Sequence, residues 1–570
     1  MERETRFELA TFCLGSKHST TELLPQFSLD CMIKSMRNAS DITVFHTGEN
    51  RYPVKIDGSV HFTRGQKYFV LEGLKIPRRS MEWNRFLLAS SHVLSWWKQH
   101  QTFKRAFMTD TMQDIERIFH PRAISIIGSS SREGSFGRLF LEGMILMGYQ
   151  GIYPVHPREK ELLGLKAYPN IKEIPVDIDL AISLVPRTEV LKVVQECAEK
   201  GVKGLLLFTS GFKEKDEEGK QIELKMAQIA RKGGVRLIGP NANGIYCPAA
   251  KICTFPGALI AGGLPTESGN AAILSQSGSF ADYACQILAG KNIRFSKVVG
   301  YGNESDLGAT DFLEYFGKDK ETRVIAGYLE GVKNGRGFYE LAKKISKQKP
   351  IIIWKGGLTE SGARAALAHT GSLAGSRQVW EAMFKQAGII SVNNLEEIAD
   401  LVLAFNWLPL PKGKRVAILS GMAGTNVGTA DNCLLMGLEI AKYTEKTIQR
   451  LSKILPAIGT TATNPTDIGA GVLVNPELYG KTVKILLDDK NVDMVITITG
   501  PDNPATVKDL ANVAQNTSKP MVVSLFDIAG LVEPQVKYLQ AKHVPVYLDP
   551  KRAAFALAKM TEYAEFRDRE

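Results

Sequence analysis

The amino-acid sequence predicts an α/β protein built from three successive units, each a parallel sheet covered by helices on both faces. Three observations lead to this fold class. Short apolar runs rich in β-branched residues alternate with helical stretches and with turns of Gly, Pro and Asn. This alternation stops and restarts twice along the chain. A length of 570 residues also exceeds what one hydrophobic core organises, so three or four domains are expected.

The first series of strands and helices begins at Ala123, and we assign residues 112–255 to its domain. The predicted strands are AISIIG, GIYPVHP, LAISLVP, GLLLFTSG and VRLIGPN, and the predicted helices include RTEVLKVVQECAEKG and KQIELKMAQIARKGG. A turn-rich bridge, FPGALIAGGLPTESGN, separates this series from the next.

Two further series follow, which we assign to residues 265–407 and 413–570. The second series contains AAILSQSGSF, KVVGYGN, VIAGYLEG and PIIIWKGG and ends in the helix NLEEIADLVLAFNWL. The composition of LPLPKGKR, residues 408–415, is typical of a linker. The third series contains the strands VAILSGMAG, DMVITITG and MVVSLF.

Residues 1–111 show little of this alternation and form an N-terminal extension of unknown role. They hold the Trp96–Trp97 pair and five of the nine histidines. Three interpretations stay open: a small additional domain, a partly disordered segment, or a stretch that precedes a translation start at Met108 or Met112. No function is assigned to it.

Composition narrows the functional classes. The formal charge of +11 comes from 71 Lys and Arg against 60 Asp and Glu, and it would attract nucleic acid, a polyphosphate substrate or an acidic partner. No basic run studded with aromatic residues is present, which disfavours nucleic acid. The seven cysteines form no CxxC and no Cys/His cluster, so we expect a reducing compartment and no metal site. No apolar run approaches the roughly twenty residues that cross a bilayer, so we expect a cytoplasmic protein without a membrane partner.

Three turns rich in glycine and serine join a predicted strand to a predicted helix, and each is a candidate phosphate site. Backbone N–H groups at a helix N-terminus bind anions, and small side chains let a phosphate approach them. The candidate residues are Gly128, Ser129 and Ser130, then Ser277, Gly278 and Ser279, then Gly421 and Gly424. The first turn continues with Gly134 and Gly137, which departs from G-x-G-x-x-G and favours a nucleotide-containing cofactor other than NAD. A tight turn without any ligand is the alternative.

His369 stands alone in LAHTGSLAG and is the one histidine between His156 and His543. The small residues around it predict a glycine-rich loop. Such a histidine is either a solvated surface residue or the center of a reaction. Beside three candidate phosphate turns, it makes phosphate chemistry the leading hypothesis.

From Met112 onward the chain resembles the α subunit of ADP-forming acyl-CoA synthetases, also called acetate–CoA ligase (ADP-forming), which are related to succinyl-CoA ligase. The matching stretches follow the family's order: IFHPRAISIIGSS, LIGPNANGIYCP, AILSQSGSF, VVGYGNESD, GYLEGVKNGRGF, KGGLTESGARAALAHTGSLAGS and NPTDI. The resemblance implies a Rossmann-like CoA-binding domain followed by two flavodoxin-like domains.

The resemblance also implies a reaction, in which acyl-CoA, ADP and phosphate are interconverted with a carboxylic acid, CoA and ATP. The intermediates are an acyl phosphate and a phosphohistidine, for which His369 matches the phosphorylated position and Glu330 the acidic residue that orients it. Ser277, Gly278 and Ser279 would hold the phosphoryl group. Gly421 and Gly424 would act similarly, although this chain has GMAG where the family usually has an NGGG-like run. Gly371, Ser372 and Gly375 would let the histidine segment move.

The same resemblance implies that the first domain binds CoA. Gly128, Ser129 and Ser130 would contact its diphosphate. Arg158, in HPRE where relatives have NPK, would contact a CoA phosphate. Asn241 would shape a loop or touch the substrate, and Asn303 and Asp306 would order the phosphate turn or the histidine loop.

No stretch of the chain resembles the ATP-grasp module that binds the nucleotide in this family. The resemblance therefore implies a separate ATP-grasp β subunit carrying Mg-ATP or Mg-ADP, in an α2β2 assembly. A catalytically idle CoA-binding or regulatory protein of the same fold is the alternative, and the presence of both His369 and Glu330 argues against it. An NAD-dependent Rossmann enzyme is a third interpretation.

Overall fold

The computed structural model describes five strands before residue 111 and then residues 111–371, 375–473, 475–500 and 504–569. The chain forms two compact units, Met1–Met112 and Gln113–Glu570. The strands of the first unit are β1 (Asp41–His46), β2 (Arg51–Lys55), β3 (His61–Arg64), β4 (Phe69–Glu72) and β5 (Phe86–Ser90). They pair antiparallel in the orders β2-β1-β5 and β3-β4. Trp96, Trp97 and Met108 lie outside the described residues, so the three interpretations of this segment stay predictions.

The second unit begins with a five-stranded parallel sheet. Its strands are β6 (Ile124–Ile127), β7 (Ile152–Val155), β10 (Leu180–Ser183), β11 (Gly204–Leu207) and β12 (Arg236–Ile238), with the small hairpin β8 (Glu161–Leu162) and β9 (Leu165–Lys166). The helices are α1 (residues 111–119), α2 (Phe136–Leu146), α3 (Val190–Lys200) and α4 (Glu217–Gly233). The strand order is β12-β11-β10-β6-β7, so successive strands are added on opposite sides of β6 and the order reverses there. In such sheets, ligands bind beyond the carboxyl ends of the strands at the reversal point.

A seven-stranded sheet follows in the order β14-β13-β16-β15-β17-β18-β19. Its strands are β13 (Gly244–Cys247), β14 (Ile252–Cys253), β15 (Ala271–Ser275), β16 (Phe295–Gly300), β17 (Val324–Leu329), β18 (Ile351–Lys355) and β19 (Ile389–Val392). Its helices are α5 (Pro256–Ile260), α6 (Gly278–Gly290), α7 (Ala309–Lys318), α8 (Gly335–Ser346), α9 (Glu360–Thr370), α10 (Arg377–Ala387) and α11 (Leu395–Trp407). The strands β13 and β14, which fall in the segment that the sequence assigns to the first domain, add an antiparallel edge to this sheet.

The third sheet is parallel, in the order β21-β20-β23-β24-β25, with β22 paired to β20. Its strands are β20 (Arg415–Ser420), β21 (Glu439–Ile440), β22 (Thr466–Asp467), β23 (Met494–Thr499), β24 (Met521–Leu525) and β25 (Val546–Tyr547). Its helices are α12 (Ala423–Leu435), α13 (Glu445–Ile454), α14 (Glu477–Leu487), α15 (Pro504–Gln515), α16 (Glu533–Ala541) and α17 (Pro550–Asp568).

The central strands are buried on both faces, which explains why their sequences are apolar runs without alternation. The second and third sheets share one apolar core, to which Ile352 of β18 and Ile418 of β20 both belong. Two polar contacts reinforce that junction. Arg552 of α17 donates from Nε to Asp400 of α11 over 2.8 Å, and the Tyr547 hydroxyl donates to the Asp400 carbonyl over 3.1 Å. In the part of the chain that the structure describes, no helix is both long and apolar enough to cross a bilayer.

Candidate active site around His369

His369 lies in the last turn of helix α9, not in a loop, so the predicted loop position is wrong. The run ARAALA favours a helix, and the Thr359 hydroxyl caps its start by accepting from the Gly362 N–H over 3.1 Å. The helix ends at Gly371, whose φ of 64° is a left-handed conformation that glycine adopts without strain. Ser372 lies outside the described residues. The glycine that suggested a loop is therefore the helix terminator.

The imidazole of His369 is held by Glu330, which follows strand β17. His369 Nδ1 lies 2.7 Å from Glu330 Oε1, and the Thr370 hydroxyl donates to Glu330 Oε2 over 2.5 Å. The carboxylate side chain is buried, whereas the imidazole is 46% exposed. Because an ionised carboxylate only accepts hydrogen bonds, Nδ1 carries the ring proton and Nε2 keeps its lone pair. The geometry thus presents an accessible nucleophilic nitrogen.

The contact with Glu330 also affects the protonation of His369. The hydrogen bond to Glu330 raises the pKa of His369 above its usual value, against the opposing effect of partial burial. Neutral imidazole is the form that attacks an electrophile. It therefore predominates in His369 only at a higher pH than in an ordinary histidine.

Two residues that the sequence analysis did not single out fix the main chain of Glu330. Gln276 Oε1 accepts from the N–H groups of Glu330 and Gly331, over 2.8 and 3.0 Å. Lys355 Nζ donates to the Glu330 carbonyl over 2.8 Å. Gln276 is the second polar residue of the SQSGS turn, so its place in a candidate phosphate motif was the available signal.

The SQSGS turn leads from β15 into helix α6, as predicted. Ser277 is the N-cap of that helix, its hydroxyl accepting from the Phe280 N–H over 3.4 Å. Ser279 is exposed, and its hydroxyl lies 3.4 Å from that of Ser277. A side chain on Gly278 would overlap Asn243, so only glycine fits there. The turn offers hydroxyl groups and the positive end of a helix dipole, which suit a phosphoryl group.

Asn241 touches the histidine segment from the first domain. Its Nδ2 donates to the His369 carbonyl and to Asn303 Oδ1, both over 3.4 Å. Asn303 is buried and donates from Nδ2 to Glu214 over 2.6 Å and to Glu223 over 3.0 Å. The structure thus joins Asn241 and Asn303 to the end of helix α9.

Asp306 lies at the junction of the first two sheets. It accepts from Arg236 Nε over 2.8 Å and from the Leu237 N–H over 2.9 Å, both on strand β12. Its contacts order the domain junction, so any influence on the phosphate turn or on His369 is indirect.

The turn after β6 lies where the strand order of the first sheet reverses, beside the end of β10. Gly128 has φ of 90°, and a side chain on Gly137 would overlap the Gly128 carbonyl oxygen. The Ser129 hydroxyl is buried and donates to the Ile126 carbonyl over 2.7 Å, while the Ser130 hydroxyl accepts from the Arg132 N–H over 3.0 Å. Because the Ser129 hydroxyl is already hydrogen-bonded, a diphosphate at this turn would be held by main-chain N–H groups rather than by that side chain.

The remaining predicted residues lie farther from these contacts. Arg158 is exposed beyond the carboxyl end of β7, and its N–H donates to His156 Nδ1 over 3.3 Å. Gly421 donates from its N–H to the Tyr479 hydroxyl over 3.2 Å, within the third domain, and Gly424 lies in the first turn of α12 with open space around it. The roles of these three residues stay predictions. No group of His, Cys, Asp and Glu side chains among the described residues could hold a metal ion.

The sequence and the fold are similar to those of known proteins. A family model described as a CoA binding domain matches residues 122–248, and one described as a succinyl-CoA ligase like flavodoxin domain matches residues 268–405. The α subunit of acetate–CoA ligase (ADP-forming) II from Pyrococcus furiosus is 40% identical over 463 residues, which make up 79% of this chain and 98% of that protein. The chain belongs to the ADP-forming acetate–CoA ligase family.

Other acetate–CoA ligases and a solved structure are also similar to this chain. Acetate–CoA ligase (ADP-forming) I from Archaeoglobus fulgidus is 36% identical over 458 residues. The matched region covers 80% of this chain and 64% of that protein. The solved dinucleotide forming acetyl-coenzyme A synthetase 1 of Ca. Korarchaeum cryptofilum, in complex with phosphate and ADP, has 33% identity and a TM-score of 0.73 over 80% of this chain and 97% of that one. The predicted family, fold class and enzyme class, an acid–thiol ligase, are confirmed.

Proposed function

We propose that this ligase chain is the subunit that forms acyl phosphate from acyl-CoA and carries its phosphoryl group on His369. The observation that carries the proposal is the 2.7 Å contact between His369 Nδ1 and Glu330 Oε1, because it leaves Nε2 accessible and unprotonated. The overall reaction interconverts acyl-CoA, ADP and phosphate with a carboxylic acid, CoA and ATP.

The first step takes place on the thioester. A phosphate oxygen attacks the carbonyl carbon, a C–O bond forms, and the C–S bond breaks. The CoA sulfur leaves with the electron pair and takes up a proton. Main-chain N–H groups of the Gly128 turn support CoA binding at the carboxyl edge of the first sheet. Arg158 is exposed at the same edge and can pair with a CoA phosphate.

The second step moves the phosphoryl group to the histidine. Nε2 of His369 attacks phosphorus, an N–P bond forms, and the P–O bond to the acyl group breaks, so the carboxylate leaves with the electron pair. The ring proton stays on Nδ1, where Glu330 balances the positive charge that develops on the imidazole. Ser277, Ser279 and the N-terminus of α6 support the phosphoryl group through hydroxyl groups and the helix dipole.

The third step needs a nucleotide site that we place on a partner. An oxygen of the ADP β-phosphate attacks phosphorus, the N–P bond breaks, and its electron pair returns to Nε2. The names of the α-subunit relatives support a partner subunit. We propose an ATP-grasp β subunit that carries the nucleotide with Mg²⁺, in an α2β2 assembly. The acyl group derives from a small carboxylic acid, and the side chains that line the pocket decide which acid is accepted.

ATP formation tests the proposed function. The full chain, reconstituted with an ATP-grasp subunit, is given ADP, phosphate and a panel of acyl-CoA thioesters. We expect ATP with at least one thioester, and none when His369→Ala replaces the wild-type chain, since the phosphoryl group then has no carrier. As a control, Arg364→Ala alters an exposed residue of the same helix and should retain activity. ATP formation by His369→Ala would refute the proposal.

A further inference from the structure

Lys355 is a buried cation that contacts the main chain of Glu330, the residue whose carboxylate holds His369. It is the last residue of β18 and is 3% exposed. Its Nζ donates to the carbonyl oxygens of Glu330 and Gly356. The side chain therefore ends at the main chain of the residue whose carboxylate holds His369.

The ammonium of Lys355 also faces an aromatic ring. Nζ lies 4.8 Å from the ring centroid of Trp380, on helix α10. An indole face attracts a cation, and the attraction grows when both are desolvated. A side chain on Gly375 would come within 3.0 Å of Trp380 Nε1, so this ring also lies against the residue that follows the histidine segment.

The charge of Lys355 is poorly compensated compared with that of another buried lysine. Lys297 has carboxylates of Asp319 and Glu321 at 3.1 and 3.0 Å, and these partners raise its pKa despite burial. Burial instead lowers the pKa of Lys355 to about 8, and the carboxylate that opposes this effect is Glu330. Since burying a weakly paired charge is costly, a purely structural role would be served better by an apolar residue.

Several side chains surround Glu330 and interact with it. Its carboxylate interacts electrostatically with Tyr328 of β17, with Tyr301 after β16 and with Lys355 of β18, and it contacts His369 of α9. Glu214 also acts on His369, and α10 contributes the neutral ring of Trp380. When a phosphoryl group occupies Nε2, its negative charges are added close to the Glu330 carboxylate. The Lys355 cation, which interacts electrostatically with Glu330, offsets the repulsion.

We propose that Lys355 is a positioning residue for phosphoryl transfer. It fixes the Glu330 main chain, and its buried positive charge reduces the repulsion between the Glu330 carboxylate and the phosphoryl group on His369. This inference rests on the proposed function of His369. Lys355 touches neither substrate nor phosphate and acts through Glu330.

The sign of its electrostatic effect can be worked out. The Lys355 cation disfavours a second positive charge on the neighbouring Glu330–His369 pair, so its removal makes the pair bind a proton more tightly. The pKa of His369 should then rise, and neutral imidazole should appear only at higher pH. For Lys355→Met we expect the acidic limb of the kcat profile to move upward by about one pH unit, a tenfold change in proton affinity.

The test compares variants of the full chain with its ATP-grasp partner. We expect Lys355→Met to lower kcat for ATP formation at neutral pH at least about tenfold, with the KM for acyl-CoA unchanged. We expect Lys355→Arg to keep the wild-type pH limb because it keeps the charge. The matched control is Lys349→Met. Lys349 precedes the same strand and donates to the carbonyls of Phe316 and Asp319 over 2.9 and 2.5 Å, so it loses similar bonds outside the site.

A second readout does not require turnover. The pKa of His369 is followed by NMR of the ¹⁵N-histidine-labelled chain, with the signal assigned by its loss in His369→Ala. An upward shift in Lys355→Met, absent in Lys355→Arg and in Lys349→Met, supports the inference. If Lys355→Met does not fold, Lys355→Gln is the neutral variant.

The inference is overturned if the neutral variants have the pH limb and the His369 pKa of the wild type, or if Lys355→Arg is as impaired as they are. Failure of the wild-type chain to form ATP would instead contradict the proposed function. The two failures are therefore distinguishable.

Discussion

Replacing Glu330 by glutamine is expected to lower kcat about a hundredfold or more. The amide no longer balances the charge that develops on the imidazole, and it no longer dictates that Nδ1 carries the ring proton. Because the hydrogen bond to Glu330 is the main cause of the raised pKa of His369, the same change should move the acidic limb of the rate profile to lower pH. The variant is thus slower, yet its residual activity extends to more acidic solutions.

The measurement is kcat for ATP formation between pH 5 and 9, with the reconstituted wild-type and Glu330→Gln chains. Glu360→Gln is the control, because Glu360 is an exposed carboxylate at the start of the same helix that carries His369. The account requires a wild-type profile for this control. A Glu330→Gln chain with an unchanged acidic limb would show that Glu330 does not act on His369.

Replacing Gly137 by alanine is expected to weaken CoA binding, with a rise of at least about tenfold in the dissociation constant. Its Cβ would overlap the Gly128 carbonyl oxygen and would come within 3.0 Å of the Ser130 nitrogen. These are main-chain atoms, which cannot rotate away as a flexible side chain does. The turn must therefore open, and its N–H groups lose their common direction.

Calorimetric titration of the full chain with CoA measures this effect. Gly428→Ala is the matched control, since Gly428 lies on α12 with open space around it and alanine favours a helix. Circular dichroism establishes that both variants fold. Wild-type CoA affinity in a folded Gly137→Ala chain would show that CoA does not bind at this turn.

The strands of the second unit were predictable because each central strand is buried on both faces and reads as an apolar run. AISIIG and GLLLFTSG coincide with β6 and β11 for that reason. Strands β13 and β14 were harder to foresee. Both are short, and β13 pairs with the distant strand β16 while β14 pairs with β13, so local sequence does not specify which sheet they join.

The proposed catalytic pair could be named from the resemblance to the family, but its geometry could not be predicted. Glu330 and His369 are far apart in the chain and meet only because β17 and α9 end at the same edge of the sheet. The position of His369 within a helix was missed because Gly371 is equally typical of a loop and of a helix end.

Lys355 and Gln276 were missed for a different reason. Both act on the main chain of Glu330, and a contact with a carbonyl or an N–H group leaves no complementary side chain to find in the sequence. Such residues become visible only once the backbone path around the site is known.

The most direct test of the account is to find the phosphoryl group on His369. The full chain and its ATP-grasp partner are incubated with acyl-CoA and radiolabelled phosphate in the absence of nucleotide, so that the intermediate accumulates. The account predicts an acid-labile label that mass spectrometry places on His369, that disappears on addition of ADP, and that His369→Ala does not acquire. Label on another residue, or ATP formation without any label on His369, would contradict it.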